Sequence, residues 1–428
     1  MILQTIALTA MLLASSTDHK YGLTEAMPRI DGTIRVGSYN MLNFFDQKDD
    51  PTLQGDYDDF GDNPGPTSLE RCEELAKVIR ELDADVLSLQ EVESQEALKW
   101  FNDEYLQDMG YKFVVSEEVG YYRGIEQSLL SRFPITEVKT WTNTDLTKVE
   151  RLGGGWSEIP ASEDDITFQR SPLCVTVQTP EGYKLTIFGI HHKAGRNAWH
   201  RELEAVQISE YIESMTEKDP ERNIAVIGDF NAQPWDRSVR VYLRNGMTDA
   251  LSHRAVNLKW DDTSPLRKTH ASGRVIDFIM LNASAVGELV VDSGFVLGSS
   301  HPDYDWRNDP IPAGYSSDHC AIAVDLVPVE GQGATLHGAP WPNSLTKTAL
   351  KNSPPETAFV QDTPKTDSES IPPDGAPFVA SKRSKVFHKA DCGNAKRISD
   401  SNRVGFPSFD DAEGAGKRPA KCCKPTAN

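Results

Sequence analysis

Long hydrophobic runs are scarce in this sequence. Beyond the N-terminal segment nothing approaches the roughly 18 apolar residues that a membrane-spanning helix needs, so no such helix is expected there. Positive charge is also in deficit, because 44 Lys and Arg face 64 Asp and Glu for a net charge of −20. That balance argues against a protein that grips a polyanion by a broadly basic surface. It leaves open a site where a bound divalent cation reverses the local field. Cysteines are few, at Cys72, Cys174, Cys320, Cys392, Cys422 and Cys423. Their spacing makes no disulfide framework, and the first three lie in apolar patterns that suit buried free thiols. No repeat of fixed period runs through the chain.

The 428 residues and 38% hydrophobic content allow one large domain with additions. Residues 1–16 carry an apolar run from Ile6 to Ala14 and then small residues, although no Lys or Arg precedes the run. The pattern predicts a signal peptide and a secreted or periplasmic protein. A main domain is expected over residues 29–328. Residues 329–380 are rich in Pro, Thr, Ser and Gly and poor in aliphatics, as in an extended linker. Residues 381–428 hold eleven Lys or Arg against five Asp or Glu, a net +6, which leaves −26 for the remainder.

Within the main domain, apolar periodicity predicts strands at Ile34–Tyr39, Asp85–Glu91, Tyr111–Ser116, Gln127–Ser131, Leu173–Gln178, Lys184–Ile190, Val275–Leu281 and Ala321–Leu326. A helix is expected after Ser68 as N-cap, with Leu69, Cys72, Leu75, Ile79 and Leu82 on its covered face. A second is expected over Arg201–Met215. Strand, helix, strand in that order predicts a layered α/β fold. Asp46–Pro66 and Trp141–Asp165 read as loops, the latter placed to line a substrate groove.

The sequence is organised around Ile224–Asp236, I-A-V-I-G-D-F-N-A-Q-P-W-D. Four apolar residues form a strand buried on both faces, which stops at Gly228. Asp229 and Asn231 then sit two residues apart on a loop able to aim both at one atom. Other polar residues follow or interrupt apolar runs in the same way: Asn40, Glu91, His191, Asp277, Asp318 and His319. Asp277, inside Val-Ile-Asp-Phe-Ile-Met, needs a partner if it is buried.

This set resembles the endonuclease/exonuclease/phosphatase superfamily, whose members include deoxyribonuclease I, abasic-site endonucleases, sphingomyelinases and inositol-phosphate 5-phosphatases. The matching segments are Ser38-Tyr39-Asn40-Met41-Leu42-Asn43, Leu89-Gln90-Glu91-Val92, Leu130-Ser131-Arg132-Phe133-Pro134-Ile135, His191-His192-Lys193, Gly228-Asp229-Phe230-Asn231, Ile276-Asp277-Phe278-Ile279 and Ser316-Ser317-Asp318-His319. The resemblance implies a four-layer α/β sandwich of two mixed sheets with helices outside, and a divalent-metal-dependent phosphodiesterase. Phosphoester cleavage needs a cation on the phosphate, an activated water and a proton for the leaving oxygen. Mg2+ or Mn2+ suits oxygen ligands, and the family pattern implies Glu91, Asn40 and Asp318. Asp229 and Asn231 are expected to orient the water and hold the phosphoryl group. The resemblance pairs His319 with Asp277. His191 is the second histidine, with Glu126 as its expected orienting partner. Which histidine is acid and which base stays open. Arg132 and Arg170 are candidates for phosphate contact.

The C-terminal segments Val386–Cys392 and Arg418–Pro425 resemble the small zinc module of Ada-type DNA-repair proteins. His388, Cys392, Cys422 and Cys423 are the candidate Zn2+ ligands. The adjacent cysteines depart from the usual Cys-x-x-Cys, and a disulfide from Cys392 is the rival reading. The basic tail favours a nucleic acid substrate, DNA before RNA, and an endonuclease. A secreted phospholipid or sphingomyelin phosphodiesterase, or a phosphatase of the same superfamily, is the alternative, although the apolar or aromatic hairpin that the membrane-acting enzymes expose has no counterpart here, Tyr121-Tyr122 being too little. No stable membrane association is expected, and the protein is expected to be a monomer.

Overall fold

The computed structural model describes residues 20–48, 65–117, 119, 124–150, 166–195, 197–251, 264–299, 312, 315–329, 376–382, 386–390, 395–398, 403–406, 412 and 417–420. The expected signal peptide, the larger parts of the expected Asp46–Pro66 and Trp141–Asp165 loops, Tyr121-Tyr122, most of the linker, Cys392, Cys422 and Cys423 lie outside the described residues. The chain divides into two compact units, Met1–Ser353 and Pro354–Asn428.

Alternation along buried strands builds the first unit. In β8 (Asn223–Asp229), Ala225 and Ile227 point to one face while Ile224 and Val226 point to the other, and all four are fully buried. A strand of this kind must lie in a sheet covered on both sides. Two six-stranded sheets result. The first takes the order β11 (Phe295–Leu297), β12 (Ala321–Leu326), β1 (Ile34–Phe44), β2 (Val86–Val92), β4 (Glu126–Ser131), β3 (Phe113–Glu117). The second takes the order β5 (Ile135–Lys139), β6 (Leu173–Gln178), β7 (Lys184–His191), β8, β10 (Asp277–Leu281), β9 (Thr248–Asp249).

Three apolar interfaces make this a four-layer α/β sandwich. Ile34, Val36 and Val86 of the first sheet meet Val175, Ile187, Ile227 and Ile279 of the second. The outer face of the first sheet packs Leu87 and Leu89 against Cys72, Leu75 and Ile79 of α1 (Leu69–Leu82) and Leu98 and Phe101 of α2 (Gln95–Tyr105). The outer face of the second packs Val226 and Phe278 against Leu203 and Ile208 of α3 (Ala198–Lys218) and Val239 and Tyr242 of α4 (Arg237–Arg244). A short α5 (Ala283–Val286) follows β10. Each such aliphatic side chain contributes about 1.5–3 kcal/mol by burial. Cys72, Cys174 and Cys320 are buried and form no disulfide among the described residues.

Local signals set the helix ends. Ser68 caps α1 by accepting a hydrogen bond from the Arg71 N–H, and Asp83 ends it in a left-handed conformation. Leu69 departs from expectation, being 55% exposed. In the first turn it faces solvent, and the covered stripe starts at Cys72. Among the described residues no helix is long and apolar enough to cross a membrane.

In the second unit β13 (Phe378–Ser381), β14 (Val386–Lys389), β15 (Arg403–Phe406) and β16 (Arg418–Pro419) form a sheet of order β15, β13, β14, β16. Ala380, Phe387, Phe406 and Ala412 are its buried core. His388 lies on β14 opposite Val379.

Candidate active site

Chain direction brings the polar residues to one edge of the sandwich. β1 runs parallel to β2 and β7 parallel to β8, so Asn40, Glu91, His191 and Asp229 all lie at C-terminal strand ends. β12 runs antiparallel to β1 and β10 antiparallel to β8, so their N-terminal ends reach the same edge. Those ends carry Asp318 and His319, just before β12, and Asp277, directly opposite Asp229.

Gly228 permits the tight approach of β7 and β8. Its φ is 140°, and a Cβ there would sit 2.1 Å from the Ile190 carbonyl oxygen. Strain gathers at this edge. Of the six described non-glycine residues with positive φ, Leu42, Asn43, Glu91 and Asn231 belong to it. Backbone held in this way needs a surrounding structure that over-determines it. Here the Glu91 carboxylate accepts from the Asn43 N–H at 2.8 Å, and Asp229 Oδ1 accepts from the Asn231 N–H at 2.7 Å. Arg71 of α1 donates to the carbonyls of Met41, Leu42 and Ser316, tying the loop after Asn40 to the loop before Asp318.

Asp229 Oδ2 is the meeting point of the site. Asn231 Nδ2 donates to it at 3.2 Å and Asn40 Nδ2 at 3.4 Å, His191 Nε2 lies 3.3 Å away, and His319 Nε2 lies 3.8 Å away. Asn40 Nδ2 also reaches Glu91 Oε1 at 3.4 Å, and His191 Nε2 lies 3.7 Å from the same oxygen. His319 Nδ1 faces both oxygens of Asp277 at 3.0 Å. Thr269 Oγ1 accepts from the N–H groups of Ile276 and Asp277, which holds that carboxylate's backbone.

Burial and charge set the protonation states. Asp229 is pushed up to about 7, first by burial, with the His319 ring drawing it back and the charges of Asp277 and Glu91 raising it further. Burial alone would lower His319, but Asp277 beside it, with Asp229 and Asp318, raises the ring to about 10. Asp318 is held at about 2; burial acts upward, and the hydrogen bond from His270 with the nearby imidazoles outweighs it. Burial and the neighbouring carboxylates thus raise Asp229, and the facing Asp277 favours the imidazolium form of His319.

A divalent cation is tested by the donor set. Asp318 Oδ1 is buried and accepts no hydrogen bond, its nearest charged partner being His319 Nε2 at 3.9 Å, and Glu91 Oε1 has only long contacts to Asn40 and His191. A buried carboxylate oxygen in that condition is costly unless a cation meets it. Hard oxygen donors of this kind fit Mg2+ or Mn2+. Asn40, Glu91 and Asp318 are the residues that would hold it.

The structure moves two expected residues. Arg132 follows β4 at Ser131, the end opposite Glu126, which pairs with Val92 at the site edge. Its guanidinium binds Asp83 at 2.6 Å, Asp85 at 2.9 Å and the Met109 carbonyl at 2.7 Å, and it stacks over Tyr111. It is a structural tie, not a phosphate contact. Arg170 does reach the site, but it is buried and its Nη1 donates to the carbonyls of His191 and His192 at 3.2 Å. It braces the end of β7. Glu126 is buried at the start of β4, one strand from Glu91.

His270 escaped the sequence reading. Its Nε2 lies 3.1 Å from Asp318 Oδ2, and its ring stands edge-on to His319 with centroids 4.7 Å apart. The histidine follows no apolar run, so strand-end logic does not find it. The weak signal was a Thr-His pair ahead of a Ser-Gly turn and the β10 strand.

A model described as the Endonuclease/Exonuclease/phosphatase family matches residues 37–319. Among solved structures, the human Nocturnin catalytic domain with bound sulfate is similar, with a TM-score of 0.46 and 17% identity over 70% of this chain and 95% of that one. A mannosyl-6-phosphatase from Bacteroides thetaiotaomicron has a TM-score of 0.44 and 18% identity over 69% of this chain and 99% of that one. Truncated TDP2 from Caenorhabditis elegans has a TM-score of 0.44 and 16% identity over 69% and 97%. No curated protein sequence matches the chain.

Proposed function

The chain belongs to the endonuclease/exonuclease/phosphatase family and is a phosphoesterase of that superfamily; from this premise we propose that it is a divalent-cation-dependent endonuclease acting on DNA. The observation that carries the chemistry is the convergence on Asp229 Oδ2 of Asn40, Asn231 and His191, with the His319–Asp277 pair beside it. In its ionised form the Asp229 carboxylate can accept the proton of an attacking water, which becomes the hydroxide that attacks phosphorus. The neighbouring imidazoles and the Asn231 amide suit phosphoryl oxygens that gain negative charge.

A cation held by Glu91, Asn40 and Asp318 would neutralise phosphate charge and polarise the phosphoryl group. The protein's own residues do the rest. Asp277 keeps His319 oriented and protonated, so that Nε2–H faces the reacting edge. Asp229 and Asn231 place the water, and His191, 3.3 Å from Asp229 Oδ2, stabilises phosphoryl oxygens beside it. Burial of these groups excludes bulk water and strengthens each interaction.

Two observations favour a nucleic acid substrate. The 381–428 segment carries a net charge of +6 on an otherwise acidic chain, which would concentrate a polyanion near the catalytic unit. Trp235, 44% exposed, lies four residues past Asn231 and offers a face for base stacking. The test is supercoiled plasmid incubated with the purified protein in Mg2+ or Mn2+, with EDTA and His319→Ala controls. Nicking that requires both metal and His319 is expected. Absence of nicking by folded protein under every cation, with turnover of phospholipid phosphodiesters, would overturn the DNA reading.

A further inference from the structure

His270, Asp318 and His319 offer donor atoms within 4.8 Å of one another, the spacing of a three-ligand cation site. The hydrogen bonds of His270 exclude it from that role. Its Nδ1 accepts from the Ser272 backbone N–H at 2.9 Å, and the Ser272 hydroxyl lies 2.8 Å from the same nitrogen. Arg274 Nε donates to that hydroxyl oxygen at 2.7 Å, which turns the hydroxyl proton toward Nδ1. With donors on Nδ1, the ring carries its own hydrogen on Nε2. Nε2 therefore donates to Asp318 Oδ2 and has no lone pair for a metal.

The backbone holds this donor in place from both sides. The Ala271 N–H donates to the Asp318 carbonyl and the Cys320 N–H to the Thr269 carbonyl, each at 2.7 Å, so residues 269–271 pair with 318–320 like a short ladder. Gly273, with φ of 74°, closes the turn by donating to the His270 carbonyl at 2.8 Å. The ring is buried. One oxygen of Asp318 is thus clamped, while Oδ1 is buried and accepts no hydrogen bond.

We propose that His270 is the positioning residue of Asp318: its Nε2–H, set by the Ser272–Gly273 turn, holds Oδ2 so that Oδ1 is presented to the divalent cation. This rests on the reading of Asp318 as a cation ligand. Partners of that kind orient ligands, and their loss costs about 10–100-fold in metal affinity.

The test is direct Mn2+ binding, followed by the loss of the free-ion EPR signal, to the full chain and to His270→Phe, His270→Gln and Asp318→Asn, with circular dichroism confirming the fold of each. Gln can place an amide N–H near the position of Nε2, whereas Phe keeps the ring and removes the donor. His270→Phe is expected to weaken binding about tenfold or more, and His270→Gln to recover most of it. Wild-type affinity in His270→Phe, together with weakened binding in Asp318→Asn, overturns the proposal and leaves the cation reading intact. Wild-type affinity in Asp318→Asn overturns the cation reading of Asp318 and the proposal with it. A nitrogen coupling on bound Mn2+ that vanishes in His270→Phe would make the imidazole a ligand and also overturn the proposal.

Discussion

Single residues carry the sharpest consequences at Asp277 and Gly228. Asp277 is the main charge that raises His319 against its burial. In Asp277→Asn the ring should titrate well below its value of about 10, seen by NMR of the imidazole C–H. Turnover should fall by about 10²–10⁴-fold with little change in fold. The sign of the linkage is set by the raised ring: its contribution to stability is full below the unfolded value of 6.5 and is lost as pH rises toward about 10. Wild-type stability should therefore decline over that window more steeply than that of Asp277→Asn. Gly228→Ala is expected to lose about 3 kcal/mol or more in urea unfolding, because the added methyl meets the Ile190 carbonyl and φ is unfavourable for any Cβ. A loss under about 1 kcal/mol would mean that the two strands shift apart easily.

At the scale of elements, α3 fixes the loop that leaves β7. Glu204 is fully buried and accepts from the N–H groups of Gln169 and Lys193, each at 2.9 Å, with His192 Nδ1 at 3.0 Å. His192 Nε2 in turn meets the Tyr242 hydroxyl of α4 at 2.9 Å. Burial acts to raise the Glu204 carboxyl, yet the His192 bond and charge, with His200 and the Lys193 N–H, bring it down to about 2. A depressed carboxyl stabilises the fold above its unfolded value of 4.5 and loses that contribution as pH falls toward about 2. The stability gap between wild type and Glu204→Gln should therefore be widest at neutral pH and close over that acid window. A gap that does not change with pH would show that Glu204 acts through shape alone. Because the loop directly follows His191, Glu204→Gln should also lower turnover at pH 7.

At the scale of the whole molecule, the two compact units of the chain can be tested separately. The catalytic edge lies wholly within the first unit, and the second has its own sheet and apolar core. Removing residues 381–428 should leave turnover of a small phosphodiester unchanged. It should also weaken DNA binding and flatten the slope of log affinity against log salt, since each lost phosphate contact removes about 0.9 from that slope. An unaltered salt slope would show that the basic segment makes no phosphate contacts.

Much of this protein is legible in its sequence, because burial writes itself into alternation. Ile224–Asp229, Leu173–Gln178 and Ala321–Leu326 are strands that read directly from their apolar pattern, and the polar residues that end these and other apolar runs, Asn40, Glu91, His191, Asp229 and His319, fall at one edge. The exposed or short strands β5, β9 and β11 have no such pattern and were missed, as were α2 and α4. Arg132 shows the limit of motif order: its segment sits where the resemblance expects it, but the direction of β4 carries the side chain to the far end of the sheet, where Asp83 and Asp85 bind it. His270 shows the converse, since only the pairing of residues 269–271 with 318–320 brings it to Asp318. Local pattern determined which segments must be buried and where their polar ends fall. Tertiary structure decided the contacts that no motif carries, such as His270 with Asp318, because contact across strands depends on register and direction, and neither is written in local hydrophobicity.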